Sequence, residues 1–218
     1  NLTRSTTYYV RAYATNGGGT SYGNQVSFKT ALCPASLLIY HVAGSVSPVD
    51  KTVNYGIVES NLTGENKCWI SQNLGSDYQA GSATDNNELV AGWYWQFNRP
   101  QGFKYVIGIP PIRTPSTTWI TSISENSEWT AANDPCTILL GTGWRIPTHN
   151  EWYNAFINGN WNDFFYPSYS SVLKIHAAGF LLETNGTLTD RGTSGTYWSN
   201  HQNNTTTSYG LGFNDSGR

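Results

Sequence analysis

Histidines, cysteines and carboxylates are the side chains here that could do chemistry, and their spacing decides how much. His41, His149, His176 and His201 stand singly, and isolated histidines are more often surface or hydrogen-bonded residues than ligands. Cys33, Cys68 and Cys136 form neither a Cys-x-x-Cys pair nor a cysteine–histidine pattern, so a thiolate metal centre is not expected. Glycoside hydrolysis needs two acids converging on a cleft; Glu125, Glu128, Glu151, Glu183 and Asp190 are available, but nothing in sequence brings them together. No Gly-x-Ser-x-Gly elbow supports a serine nucleophile. Asp77, Asp85, Asn86, Asn87 and Glu88 offer hard oxygen ligands that would suit calcium, against which stands the plainer reading of a solvated polar loop. The expectation is no catalytic residue, no metal ligand and no cofactor, with calcium the one ion such acids would suit.

Binding chemistry is better supplied. The stretch 199–209 is polar, uncharged and flanked by strand-like segments, which predicts an exposed loop, either one whose amides and hydroxyls meet a ligand or an ordinary solvated hairpin loop. Asn200, Gln202, Asn203 and Tyr209, with neighbouring Asn214, are the expected ligand-binding residues. Trp93, Tyr94, Trp95, Phe97, Phe103 and Tyr105 could instead form a sugar-stacking platform, but alternation of Trp93, Trp95 and Phe97 with Tyr94 and Gln96 reads as a strand with its apolar side in the core.

The elements that must hold these residues are signalled locally. Thr148 and Glu151 form a capping box, so a helix starts at Thr148 and runs to about Phe156, with Pro147 holding Ile146 extended before it. Trp144, Arg145, Thr148, Glu151 and Trp152 are expected to fix this corner. Asp134 as N-cap, Pro135 at the first helical position and Gly141 as the stop predict a second short helix. Leu173 to Leu182 reads as a strand, Asn185-Gly186 as a hairpin turn, and 192–200 and 209–213 as further strands. Near the start, Thr6 to Ala14 alternates as one strand, 16–19 is a glycine turn, and Tyr22 to Thr30 returns.

Composition limits the partners. A net charge of −2 with no basic run argues against nucleic acid or an anionic membrane, and no apolar run is long enough to span a bilayer. Only 12% of residues are charged; polarity comes from Asn, Thr and Ser, which tilts the reading toward an oxidising, extracellular setting. Asn-x-Ser/Thr triplets at Asn1, Asn61, Asn185, Asn203, Asn204 and Asn214 are what such a composition makes by chance.

Several ordered motifs together resemble one family: 67–74 (KCWISQNL), 92–97 (GWYWQF), 134–136 (DPC), 143–152 (GWRIPTHNEW), 177–180 (AAGF), 190–192 (DRG) and 197–199 (YWS). They are similar to the FISUMP family, the Fibrobacter succinogenes major paralogous domains, over residues 33–218. Residues 2–12 resemble the last two strands of a fibronectin type III module, with Tyr8 at the tyrosine-corner position. The resemblance implies an α+β, C-type-lectin-like fold of the formylglycine-generating-enzyme branch, with short strands and few helices. It would be preceded by a β-hairpin, 1–30, cut from a β-sandwich, and it implies an extracellular or cell-surface domain lacking its last strand. In that setting Cys68 is expected to pair with Cys136, and Cys33 with a cysteine outside this sequence. Trp161-Asn162-Asp163 copies a calcium-lectin tripeptide but sits in the wrong place for that site. The enzymes of the branch use a cysteine pair or an iron-binding histidine motif, neither of which is present. The expected function is therefore adhesion to a glycan or protein ligand without catalysis; an enzyme of that class and a structural spacer are the alternatives.

Overall fold

A computed structural model describes residues 2–161 and 165–214, so Asn162 and Asp163 of the lectin-like tripeptide lie outside the described residues. The chain divides into two units, Asn1–Pro34 and Ala35–Arg218. In the first, β1 (Thr7–Val10) pairs antiparallel with β4 (Val26–Lys29), and β2 (Tyr13–Asn16) with β3 (Gly19–Tyr22). The single strand expected over 6–14 breaks at Arg11-Ala12, where the Ala12 carbonyl accepts from the Gly23 amide at 2.9 Å instead of continuing a ladder. The Tyr8 ring stacks on Phe28 and its hydroxyl accepts from the Thr3 amide at 2.7 Å. No residue of these four strands is buried.

The second unit is a β-rich mixture of small antiparallel sheets with few helices. Strands β5 (Ser36–His41), β6 (Lys51–Ser60) and β7 (Lys67–Ile70) form one three-stranded sheet; β8 (Tyr94–Trp95), β9 (Gly102–Val106) and β10 (Ile112–Thr114) form another. Between them lies α1 (Glu88–Ala91). After α2 (Pro135–Leu140), α3 (His149–Asn158) and α4 (Phe165–Ser170) come the short pair β11 (Phe180–Leu181) and β12 (Leu188–Thr189). A long hairpin of β13 (Ser194–Asn204) and β14 (Thr207–Asn214) follows. Trp152 and Ala155 of α3 pack with Leu173, Ile175, Leu211 and Phe213 in the main core. Only Phe180 and Leu181 of the strand expected at 173–182 pair in a sheet. Leu173, Ile175 and Ala177 are buried without a ladder, because Lys174 takes a left-handed φ of 51° and the Ala177 amide donates to the isolated Ala83 carbonyl. Among the described residues no helix is long and apolar enough to cross a membrane.

The corner before α3 forms as its sequence predicts, with Thr148 and Glu151 satisfying each other's backbone amides. Glu151 carries more than the cap. Its buried carboxylate accepts from both Arg145 guanidinium nitrogens, at 2.8 and 2.7 Å, and from the Thr148 amide at 2.8 Å, with Lys67 Nζ at 3.5 Å. Burial alone would raise its pKa, but the Arg145 bonds, the amide and the Lys67 charge outweigh it and hold the group at about 2. A second buried acid, Asp134, caps α2 through Oδ1 and accepts from the Ile146 amide through Oδ2 at 2.8 Å, joining α2 to the corner. Because the folded pKa of Glu151 is depressed, its contribution is complete above its unfolded value near 4.5 and is lost as pH falls toward 2. Glu151→Gln is expected to cost about 2 kcal/mol at pH 7, Arg145 being half-exposed, in urea unfolding. The gap between wild type and variant should close between pH 4.5 and 2; a gap that is flat with pH would contradict this account of the corner.

Candidate functional site

Three tryptophans are linked in a row by two indole bonds, and a third bond anchors the last of them to Pro100. Trp152, on α3, donates its indole N–H to the Trp198 carbonyl at 2.9 Å; Trp198, on β13, donates to the Trp95 carbonyl at 2.8 Å; Trp95, on β8, donates to the Pro100 carbonyl at 3.1 Å. Trp119 and Trp129 bond in the same way to the carbonyls of Glu183 and Asn133. These five rings line a cavity of about 320 Å³. With each indole N–H engaged by main chain, what remains to a ligand is the carbon face of a ring fixed in place. Edge-to-face contacts of Phe97, itself in the cavity lining, with Trp129 and Trp198, at 5.2 and 5.8 Å, brace the arrangement. Trp93 and Phe97 are buried as the alternation predicts, and Phe103 and Tyr105 are buried too; against the alternation, Trp95 is half-buried and Gln96 is buried, and the whole stretch from Trp93 to Phe97 lines the cavity. Trp152, expected as a corner residue alone, is also part of the wall.

Residues 115–133, which form neither helix nor strand, contribute Trp119, Ile123, Glu125 and Trp129 to the cavity lining, and amide side chains hold them there. Gln96 both donates to the Ile120 carbonyl and accepts from its amide, at 2.6 and 3.1 Å. Asn98, buried and at a left-handed φ of 50°, accepts from the Thr130 amide and from Asn133 Nδ2, at 3.0 and 3.1 Å, and donates to Glu125 at 3.0 Å. Arg99 closes on the same Glu125 carboxylate at 2.7 Å and, as its strongest partner, lowers its pKa. On the other side the Glu125 amide donates to the Thr205 carbonyl at 2.8 Å, and Gln202 Nε2 donates to the Glu125 carbonyl.

The structure corrects the polar loop expected over 199–209. Strand β13 continues to Asn204 and β14 begins at Thr207, leaving Thr205-Thr206 as the turn, because Asn204 Oδ1 accepts from the amides of Thr206 and Thr207 and closes it early. Asn200 acts through its backbone, donating to Pro147 and accepting from Trp129, both at 2.9 Å. Gln202 is a strut to the loop that lines the cavity. Asn203 bonds the Thr207 hydroxyl across the hairpin, and Tyr209 packs on His149 and His201. Asn214 pairs with Ser194 at the opposite end of the hairpin from the turn, apart from the other four in the ladder. Residues 204–208, of the turn itself, do line the cavity.

The remaining candidates are engaged elsewhere. Asp77 pairs with Lys51 at 2.8 Å, Asp85 accepts from the Gly81 and Asn87 amides, and Asn87 caps α1. Among the described residues no group of three or more His, Cys, Asp or Glu is placed to hold a metal ion. His41 is buried against the Tyr55 hydroxyl at 2.8 Å, and its burial, with the Lys51 charge, lowers its pKa to about 4. Cys33 and Cys68 are disulfide-bonded and Cys136 is free, which overturns the pairing of Cys68 with Cys136. The Cys136 thiol lies at the cavity wall, and burial raises its pKa. Comparison with family models, curated proteins and solved structures finds no match to this chain.

Sequence reasoning gave Trp119, Trp129 and Trp198 no place in a site; they are brought together through pairings that span 64 to 103 positions. If Gln202 is the strut that holds the loop of residues 115–133, Gln202→Ala should raise hydrogen exchange at the Glu125 and Trp129 amides about fivefold to tenfold, the loss of roughly one buried hydrogen bond. The Tyr9 amide, in the other unit, serves as the internal control; protection unchanged at Glu125 would remove the strut from the account.

Proposed function

We propose that residues 33–218 are a binding module of the FISUMP type, with a C-type-lectin-like scaffold, that takes a glycan into the aromatic cavity at the cell surface or outside the cell without catalysis. The observation that carries this reading is the set of tryptophan faces left to a ligand once their N–H groups are bound to main chain. Such faces match the apolar face of a pyranose ring, and 320 Å³ lies at the lower end of ligand pockets, enough for one or two rings. The hydroxyl of Ser208, on β14 at the same cavity, supplies a neutral partner for a sugar hydroxyl. A disulfide-bonded Cys33 and Cys68 fit an oxidising compartment. An enzyme of the formylglycine-generating class is disfavoured on one specific ground: it needs a reactive thiolate, and the free thiol at this cavity, Cys136, is held protonated by burial.

On a glycan array, Trp119→Ala should weaken binding tenfold or more, the order of one lost stacking contact, while leaving thermal unfolding within a few degrees of wild type. Asn203→Ala, whose side chain bonds Thr207 across the exposed hairpin, should bind as wild type does. Binding abolished by Asn203→Ala but kept by Trp119→Ala would put the ligand on the hairpin's outer surface and sink the cavity reading, as would a wild-type chain that binds no glycan.

A further inference from the structure

His149 and His201, 52 positions apart in sequence, meet in the fold. His149 is the first residue of α3 and His201 lies in β13 where the register with β14 shifts; the Asn200 amide, bonded to the Pro147 carbonyl, brings the two elements together. Their ring centroids are 6.1 Å apart, and Tyr209 packs against both, at 4.4 and 5.3 Å. A third element completes the group: Glu128 Oε1 lies 2.7 Å from His201 Nδ1, and its other oxygen accepts from the Gln202 amide at 3.2 Å.

The chemistry of that last pair is directional. A carboxylate can only accept, so Nδ1 of His201 carries the proton and, in the neutral ring, Nε2 carries the lone pair. This is the arrangement by which an outer carboxylate orients a metal-ligating imidazole and raises its basicity. For His149 the described residues provide no hydrogen-bond partner at either ring nitrogen. An imidazole nitrogen bonds zinc at about 2.1 Å and lies about 1.1 Å from its ring centre, so two rings sharing an ion at the tetrahedral angle have centroids about 5.2 Å apart. The observed 6.1 Å lies within about 1 Å of that, a gap that side-chain rotation of His149 toward His201 would close on binding.

We propose that His149 and His201 form a surface site for one divalent transition-metal ion of the zinc, nickel or copper class, with Glu128 as the positioning residue of His201. Nitrogen ligands select these ions over calcium and magnesium, which take oxygen. Two protein ligands leave the remaining coordination positions to water. The site is separate from the aromatic cavity, whose lining includes none of the three residues.

Equilibrium dialysis of the tag-free chain against zinc chloride tests it. The wild type should take up one zinc per chain, saturably and in the micromolar range, unaffected by a hundredfold excess of calcium. His149→Gln and His201→Gln should each weaken uptake at least tenfold, and Glu128→Gln tenfold to a hundredfold. In NMR spectra zinc should shift the ring protons of His149 and His201 and leave those of buried His41 and His176 in place, a readout on the wild type that does not depend on any variant folding. No stoichiometric uptake, uptake retained by the double variant with native circular dichroism, or shifts confined to other histidines would overturn the proposal.

Discussion

The hydrogen bond from the Trp152 indole to the Trp198 carbonyl is the link on which the rest of the second unit depends. It joins the helix corner to the long hairpin, and the next two bonds, Trp198 to Trp95 and Trp95 to Pro100, carry the connection to the sheet of β8, β9 and β10. An indole N–H left buried without an acceptor costs one or more kcal/mol, so each ring is held to one position by the next one's backbone. The cavity is lined by these rings, each pinned at a separate point of the chain.

The corner that starts the relay is set by electrostatics. Glu151 sits immediately before Trp152, and its carboxylate, shared by Arg145 and the Thr148 amide, decides where α3 begins and so where the Trp152 ring points. Asp134 ties the same corner to α2 through the Ile146 amide. The loop of residues 115–133 lacks a ladder of its own and borrows hydrogen bonds from Gln96, Asn98 and Gln202, which is how a segment with no regular structure satisfies its backbone at a partly buried surface.

What was legible in the sequence is what is encoded locally. The capping box at Thr148, the Asp134–Pro135 helix start and the Asn185-Gly186 turn each depend on residues within four positions, and each forms as read. The hairpin was misread because Asn, Thr and Ser favour turns by short-range bonding, whereas here a single Asn204 closes the turn and the Glu125 amide, far away in sequence, binds at Thr205. The strand read over 173–182 marked a buried segment but was wrong about pairing over most of its length, since a buried irregular segment carries the same apolar residues as a strand. The cavity was not legible: Trp95, Trp119, Trp129, Trp152 and Trp198 come from five segments, and no spacing rule relates them. The same holds for His149 and His201, which read as isolated residues and stand side by side.

The central claim is that the polar hairpin holds the loop of residues 115–133 at the binding cavity and that the ligand sits in that cavity, against tryptophan faces. A crystal structure of the chain with a glycan selected from an array tests this most directly. The account requires a sugar ring inside the cavity within stacking distance, about 4 Å, of the Trp95, Trp119 or Trp198 face. A glycan bound instead along Asn203 and Tyr209 on the hairpin, with the tryptophan faces uncovered, would contradict it.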